Sequence, residues 1–552
     1  MAGLMPHRWI VKFWTSLSAT GLYVGTLLFA ASFTPSLLPR TFTTQGILSG
    51  ACFAAGYCIG LFGRWLARYL EFPDPPEHVL RPIKYVSAAL CAFVASVFLW
   101  QAAEWQNSIR VPMGLDLLDS AHPLRTGLVA AATFIVLLFL GRLFRLILTF
   151  TSFRLRRFIP RRVANVLGVV VAIALFWAVA EGILFRFSLR AADASFRAYN
   201  ELIEPEIERP ADARKTGSAA SLIDWEDLGR AGREFVASGP SAAEIGSFWG
   251  VDAMEPIRVY VGLNAAETAE ERAELALREL NRTNAFERSV LVIITPTGTG
   301  WSDPAAIDTL EYLHDGDVAS VAVQYSYLTS WLSLLVEPDY GTENARALFS
   351  AVYERWRDLP KDRRPRLYLH GLSLGSFGSE ASTELFEILG DPYQGALWSG
   401  PPFANRMWQY VTRQRNPGSP EWLPRFRDGS YVRFTNQFNE LAIPGAVWGP
   451  MRIVYLQYAS DPVTFFEYQS LYRRPEWMNQ PRGPDVSPEL RWYPVVTFLQ
   501  LLVDMALATT APMGHGHVYA PEHYIDAWME VTAVNGKSGQ QIQRLKEHFA
   551  IR

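Results

Sequence analysis

Five apolar segments near the start of the chain, at residues 9–33, 46–66, 85–103, 126–148 and 163–187, restrict the fold more than any other feature. Each is long enough to cross about 30 Å of hydrocarbon as a helix. Lipid offers no partner to a backbone amide, so segments of this length and composition predict an α-helical transmembrane bundle over residues 1–190. The first segment is too long for the core of a signal peptide, and residues 32–40 lack a small-x-small cleavage pattern, so it is expected to be retained. Gly56, Gly60 and Gly63 in the second segment and Ala130, Ala131 and Ala132 in the fourth suit close helix contacts in lipid.

The flanking charges are asymmetric. Thirteen Lys and Arg residues, among them Arg64, Arg68, Arg142, Arg145, Arg156 and Arg157, fall on one set of flanks, against Arg40, Arg110 and Arg125 on the other. Lysine and arginine concentrate on the cytoplasmic side, so the N-terminus is predicted inside and, with five spans, the rest of the chain outside. Glu104 and Glu181 sit near span ends, where solvated positions explain them. Paired intramembrane acids, broken helices and an inverted repeat are all missing from the sequence, which argues against a transporter.

The remainder has a different character. Residues 191–250 form a polar connector, and residues 251–552 have the mixed composition of a soluble domain. Net charge over the 552 residues is −3, which gives no basic balance for nucleic acid. Cys52, Cys58 and Cys91 all lie in the apolar segments, so no disulfide framework or cysteine metal site is available to the second part. There, strand patterns at 257–263, 289–295, 318–325, 396–398 and 452–458 alternate with helical ones at 266–281, 304–313 and 342–359, which predicts a mostly parallel sheet covered on both faces. The apolar run 492–510 carries Gln500 and Asp504, and is expected to be a buried or lid-forming helix rather than a sixth span.

At residues 366–377 a short strand, Leu367-Tyr368-Leu369, runs into Gly371-Leu372-Ser373-Leu374-Gly375 and then a helical stretch from Ser376 to Leu389. Strand, sharp turn and helix around G-x-S-x-G make a nucleophile elbow, in which the glycines permit close approach and Ser373 is held exposed in a strained conformation. The motif is short enough to arise by chance, so its context must decide. A catalytic acid should follow a later strand end, and Asp461, in Tyr458-Ala-Ser-Asp-Pro462, does so; Asp391 precedes its strand and would face the wrong edge. The base should follow near the C-terminus, where Gly514-His515-Gly516-His517 offers two candidates. His517, followed by an apolar residue and a helix, is preferred over His515. The same histidines lack an Asp/Glu frame for zinc, and no metal or other cofactor is expected. A serine nucleophile also needs two backbone N–H donors for its oxyanion: Leu374 supplies one, and the loop Pro296-Thr-Gly-Thr-Gly-Trp301, after its strand, offers Thr297 or Gly298 as the second.

With Ser373, Asp461 and the Gly-His-Gly-His loop in that order, the chain resembles the α/β-hydrolase superfamily. More narrowly, it resembles the bacterial membrane-anchored α/β-hydrolase family, whose members join an N-terminal multi-spanning domain to a hydrolase domain. The resemblance implies an α/β-hydrolase fold with helical lid or cap insertions over residues 251–552 and a serine-hydrolase mechanism, and names no substrate; attack of Ser373 on an ester or thioester carbonyl is the expected reaction. For a bacterial chain, the lysine and arginine asymmetry places it in the inner membrane with the N-terminus cytoplasmic and the hydrolase domain extracytoplasmic. Aromatic residues in 325–335 and the segment 401–447 are expected to roof the site, and a lipid or envelope acyl ester is the expected substrate class. The competing expectation is a non-catalytic hydrolase-fold scaffold.

Overall fold

The computed structural model describes residues 16–73, 76–178, 200, 206–327 and 338–550. The chain divides into two compact units, one comprising Met1–Phe187 with Phe466–Pro512, the other Ser188–Phe465 with Met513–Arg552.

The first unit is helical: α1 (Ala19–Ala31), α2 (Phe42–Tyr69), α3 (Glu77–Arg110), α4 (Pro123–Leu155) and α5 (Arg161–Trp177). Among the described residues, three helices are long and apolar enough to cross a membrane, at Phe42–Tyr69, His78–Met113 and Pro123–Leu155. These correspond to three of the five expected spans. The helices of the other two, α1 and α5, are shorter as described, and residues 9–15 and 179–187 of those spans lie outside the described residues. Small residues set the contact between α1 and α2: a Cβ on Gly60 would lie 2.7 Å from Gly21 Cα, so these backbones touch where any larger residue would separate them. Gly63 faces open space and takes no part in this contact. Trp100, Leu128 and Phe139 are largely exposed on α3 and α4, an apolar outer surface suited to lipid.

Residues 466–512 were expected to belong with the soluble half, yet they pack into this helical unit as a strap. The strap's helix, Val496–Ala506, is too short to span a bilayer, consistent with the expected buried helix. Val496 packs in a cluster with Ala31, Leu48 and Cys52. Asp504 pairs with Arg40, Nε to Oδ1 at 3.2 Å, with both side chains fully buried. Its other oxygen accepts from the Leu37 N–H at 2.9 Å, and Gln500 donates to the Thr34 carbonyl at 2.9 Å. Ser487 meets Ser108 near the C-terminal end of α3 at 2.7 Å. The apolar run was ambiguous in sequence because its two polar residues are satisfied by a tertiary surface that no local pattern reveals.

The second unit is built on a seven-stranded sheet: β1 (Ile257–Val261), β2 (Val290–Thr295), β3 (Val318–Val323), β4 (Arg366–Leu372), β5 (Gly395–Ser399), β6 (Val432–Thr435) and β7 (Arg452–Leu456). The order is β1-β3-β2-β4-β5-β7-β6, and every pairing is parallel. β1, β2 and β3, rich in Val and Ile, are buried along their whole length, as strands covered on both faces require. α6 (Ala269–Arg282), α7 (Pro304–Leu313), α8 (Pro338–Asp358), α9 (Leu374–Ala381) and α10 (Pro521–Val531) provide much of the helical cover. Part of the expected roof, residues 401–447, instead supplies the edge strand β6. Residues 328–335 of the other roof segment lie outside the described residues.

The strand order fixes where a site can form. From β2 the chain crosses to β3 on one side, and β4 then lies on the other side of β2. The chain therefore leaves the carboxyl ends of β2 and β4 in opposite directions, the switch point at which parallel α/β sheets place their sites. The loop 296–301 and the Ser373 turn both begin there.

Candidate active site

Ser373 is the residue between β4 and α9, at φ 56° and ψ −127°. A side chain other than glycine seldom holds positive φ, and strain of this kind persists only where surrounding packing fixes it. Here the packing is explicit. A Cβ on Gly375 would fall 2.2 Å from the Thr295 carbonyl oxygen at the end of β2, so only glycine lets α9 begin so close to that strand. The Ser373 N–H donates to the Ser399 carbonyl at the end of β5 (3.0 Å), and its own carbonyl accepts from Ser376 and Phe377. The backbone is thus pinned on both sides while Oγ stands at the N-terminus of α9, whose dipole favours negative charge.

Asp461 follows β7, the strand that lies beside β5, and is fully buried. Its Oδ1 accepts from the Val463 N–H at 2.9 Å. His517 Nδ1 lies 2.7 Å from Oδ2, and the Tyr519 hydroxyl donates to the same oxygen at 2.7 Å. Thr464 Oγ1 reaches it more weakly at 3.3 Å. A carboxylate only accepts, so Nδ1 carries the imidazole hydrogen and Nε2 is the basic nitrogen. Nε2 is buried and accepts no hydrogen bond among the described residues.

The loop geometry distinguishes the two histidines. The Gly514 N–H bonds the Val518 carbonyl, His515 pairs with Val518 through the backbone, and the Gly516 N–H donates to Ser460 Oγ at 2.8 Å. This turn anchors the loop to the residue preceding Asp461 and delivers the His517 ring to the carboxylate. The ring rests on Gly400, directly after β5: a Cβ there would come within 2.6 Å of His517 Cε1. Ser373 and His517 are therefore referenced to consecutive residues, Ser399 and Gly400. Gly400, at φ +51°, and Tyr519 are contributors that the motif reading did not single out. The rival acid Asp391 is engaged elsewhere, held by both guanidinium nitrogens of Arg364 at 2.5 and 2.6 Å.

The loop 296–301 lies against the start of α9, with the Pro296 carbonyl 3.0 Å from the Gly375 Cβ direction. The Thr297 N–H, expected as an oxyanion donor, is turned to the Trp301 carbonyl at 2.9 Å and closes the loop on itself. Leu374 is the first residue of α9, so its N–H has no acceptor within the helix. Gly298 is the other expected donor in this loop.

A second carboxylate sits nearby. Asp303 caps α7 through the Ala305 N–H at 3.0 Å and accepts from the Tyr524 hydroxyl at 2.9 Å. Burial pushes its pKa up to about 6, although the Tyr524 bond, the cap and the proximity of His517 all act the other way. No cluster of His, Cys, Asp and Glu suited to a metal ion occurs among the described residues.

Comparison with known proteins gives two family matches. The model of the alpha/beta-hydrolase family matches residues 257–545, and that of the alpha/beta-hydrolase family N-terminus matches residues 33–240. No curated protein and no solved structure matches.

Proposed function

The chain belongs to the alpha/beta-hydrolase family, and from that premise we propose that it is a membrane-anchored serine hydrolase acting on acyl esters or thioesters. The observation that carries the reading is the His517–Asp461 pair at 2.7 Å, which leaves Nε2 buried and without a hydrogen bond among the described residues, while Ser373 is held in a strained turn after β4.

In this reading Ser373 Oγ attacks the acyl carbon while His517 Nε2 takes its proton, and Asp461 stabilises the imidazolium. The Leu374 N–H receives the oxyanion, with Gly298 as the proposed second donor. His517 returns the proton to the leaving alcohol or thiol as the carbon–oxygen or carbon–sulfur bond breaks. Water, or an acceptor alcohol in the case of acyl transfer, then loses a proton to His517, attacks the acyl-serine and releases Ser373.

The same reading anchors the enzyme in a cell membrane with its N-terminus cytoplasmic and the hydrolase unit on the other side. The lysine and arginine asymmetry supports this, and the strap is fastened at the arginine-poor end of the bundle, where Arg40 also donates its N–H to Gln106. A substrate presented by the bilayer, a lipid or envelope acyl ester, fits an enzyme so tethered. The test is covalent labelling of Ser373 by a fluorophosphonate probe, which requires an activated serine. A folded protein that stays unlabelled would point to a non-catalytic scaffold.

A further inference from the structure

We propose that Tyr519 is a positioning residue for the base: its hydroxyl holds Asp461 in the orientation that His517 needs and tunes the basicity of His517. The inference rests on the serine-hydrolase reading and goes beyond it by adding a fourth side chain to the proton-transfer apparatus.

Three observations carry it. First, the Tyr519 hydroxyl and His517 Nδ1 meet the same oxygen of Asp461, each at 2.7 Å. Donors sharing one oxygen compete for its charge, so the strength of one bond depends on the presence of the other. Second, the phenol is fixed by packing that does not need its hydroxyl. Its ring stacks on Tyr458 with centroids 4.5 Å apart, and the ring of His517 stands edge-on to it at 5.9 Å. Third, Tyr519 is buried; burial, and then the charge of Asp461, raise its pKa, so the hydroxyl stays protonated and remains a donor.

The surrounding ionisable groups are few and engaged. At the end of β7, Tyr458 accepts from the Ala520 N–H and meets His523 Nδ1 at 2.6 Å. On α10, His523 makes that contact, and Tyr524 donates to Asp303 at the start of α7. His515 lies on the same loop as His517. Tyr519 is the tyrosine that donates to Asp461 among the described bonds.

Removing the hydroxyl concentrates the carboxylate charge on the bond to His517. The imidazolium is then stabilised, and the base requires a higher pH to become free. Tyr519→Phe keeps the ring and removes the donor. In the full chain, solubilised in detergent, the rate of fluorophosphonate labelling of Ser373 should follow the free base. Labelling forms the phosphorus–oxygen bond and expels fluoride while His517 takes the serine proton.

For Tyr519→Phe the ascending limb of that pH profile should move up by roughly one unit, the scale of a lost charge-assisted hydrogen bond. Labelling should then be up to roughly tenfold slower on the ascending limb and converge on the wild-type rate at the alkaline plateau. In an Asp461→Asn background, where no carboxylate remains to be held, Tyr519→Phe should change the rate less than about twofold. An unmoved profile, or equal losses in both backgrounds, would overturn the assignment and leave Tyr519 a packing residue. Wild-type protein that fails to label would defeat the serine-hydrolase reading itself, a separate outcome.

Discussion

The buried Arg40–Asp504 pair gives the sharpest stability prediction. Both side chains are wholly inaccessible, and Arg40 is further held by Gln45 Oε1 at 2.8 Å and by Ser36. Asp504→Ala removes the compensating charge and also the acceptor of the Leu37 N–H. Breaking a buried pair from one side costs about 3–5 kcal/mol, because the surviving charge cannot return to water without opening the structure. The loss should fall on the strap, since Asp504 fastens it to the α1–α2 loop. Thermal unfolding in detergent should show a lower midpoint for Asp504→Ala, and limited proteolysis should show faster cutting within residues 466–512. Asp504→Asn, which can still accept from Leu37, should cost less. The double variant Arg40→Met/Asp504→Leu should be more stable than either single variant, because no buried charge is left unpaired. Asp504→Ala behaving within about 0.5 kcal/mol of wild type, or a double variant worse than the sum of its parts, would refute the argument that the ion pair seats the strap.

Two further predictions concern the second unit. Gly400→Ala places a methyl group against the His517 ring at a positive φ, so Ser373 labelling should fall by at least about a hundredfold through displacement of the base, the sensitivity expected of catalytic geometry. Wild-type labelling by this variant would show that His517 does not depend on Gly400 for its place. Asp303 titrates at about 6 in the folded chain, above its ordinary value, so it binds more protons folded than unfolded between about pH 4 and 6. The stability it contributes is present at low pH and is lost as pH rises through 6. Asp303→Asn retains an acceptor for the cap and should be more stable than wild type near pH 8, by up to about 3 kcal/mol. Denaturant midpoints across pH 4–8 that keep the wild-type slope would sink this assignment.

Much of the second unit was legible because its strands are short, apolar and buried on both faces. The elbow, the candidate acid Asp461 after β7 and the strand before the loop 296–301 all announce themselves through local turn chemistry. β6 was missed because its four residues follow a polar loop and gain their strand character from pairing with β7. Local sequence favours His517 over His515 without deciding between them; that the His517 ring meets Asp461 follows from the Gly516 bond to Ser460 and the turn closed by Val518, which local sequence does not show. Thr297 looked available as a donor because a sequence does not show a loop amide folding back to Trp301. Tyr519 and Gly400 escaped notice for a similar reason. Each is an ordinary residue type whose role comes from a partner distant in the chain.

The central claim is that Ser373 is an activated nucleophile with His517 as its base. Fluorophosphonate labelling of detergent-solubilised protein tests it most directly, comparing wild type with Ser373→Ala, His515→Ala and His517→Ala. The account predicts labelling of wild type and of His515→Ala, and none of Ser373→Ala or His517→Ala. A folded, monodisperse wild type that does not label, or a Ser373→Ala protein that still does, would contradict it.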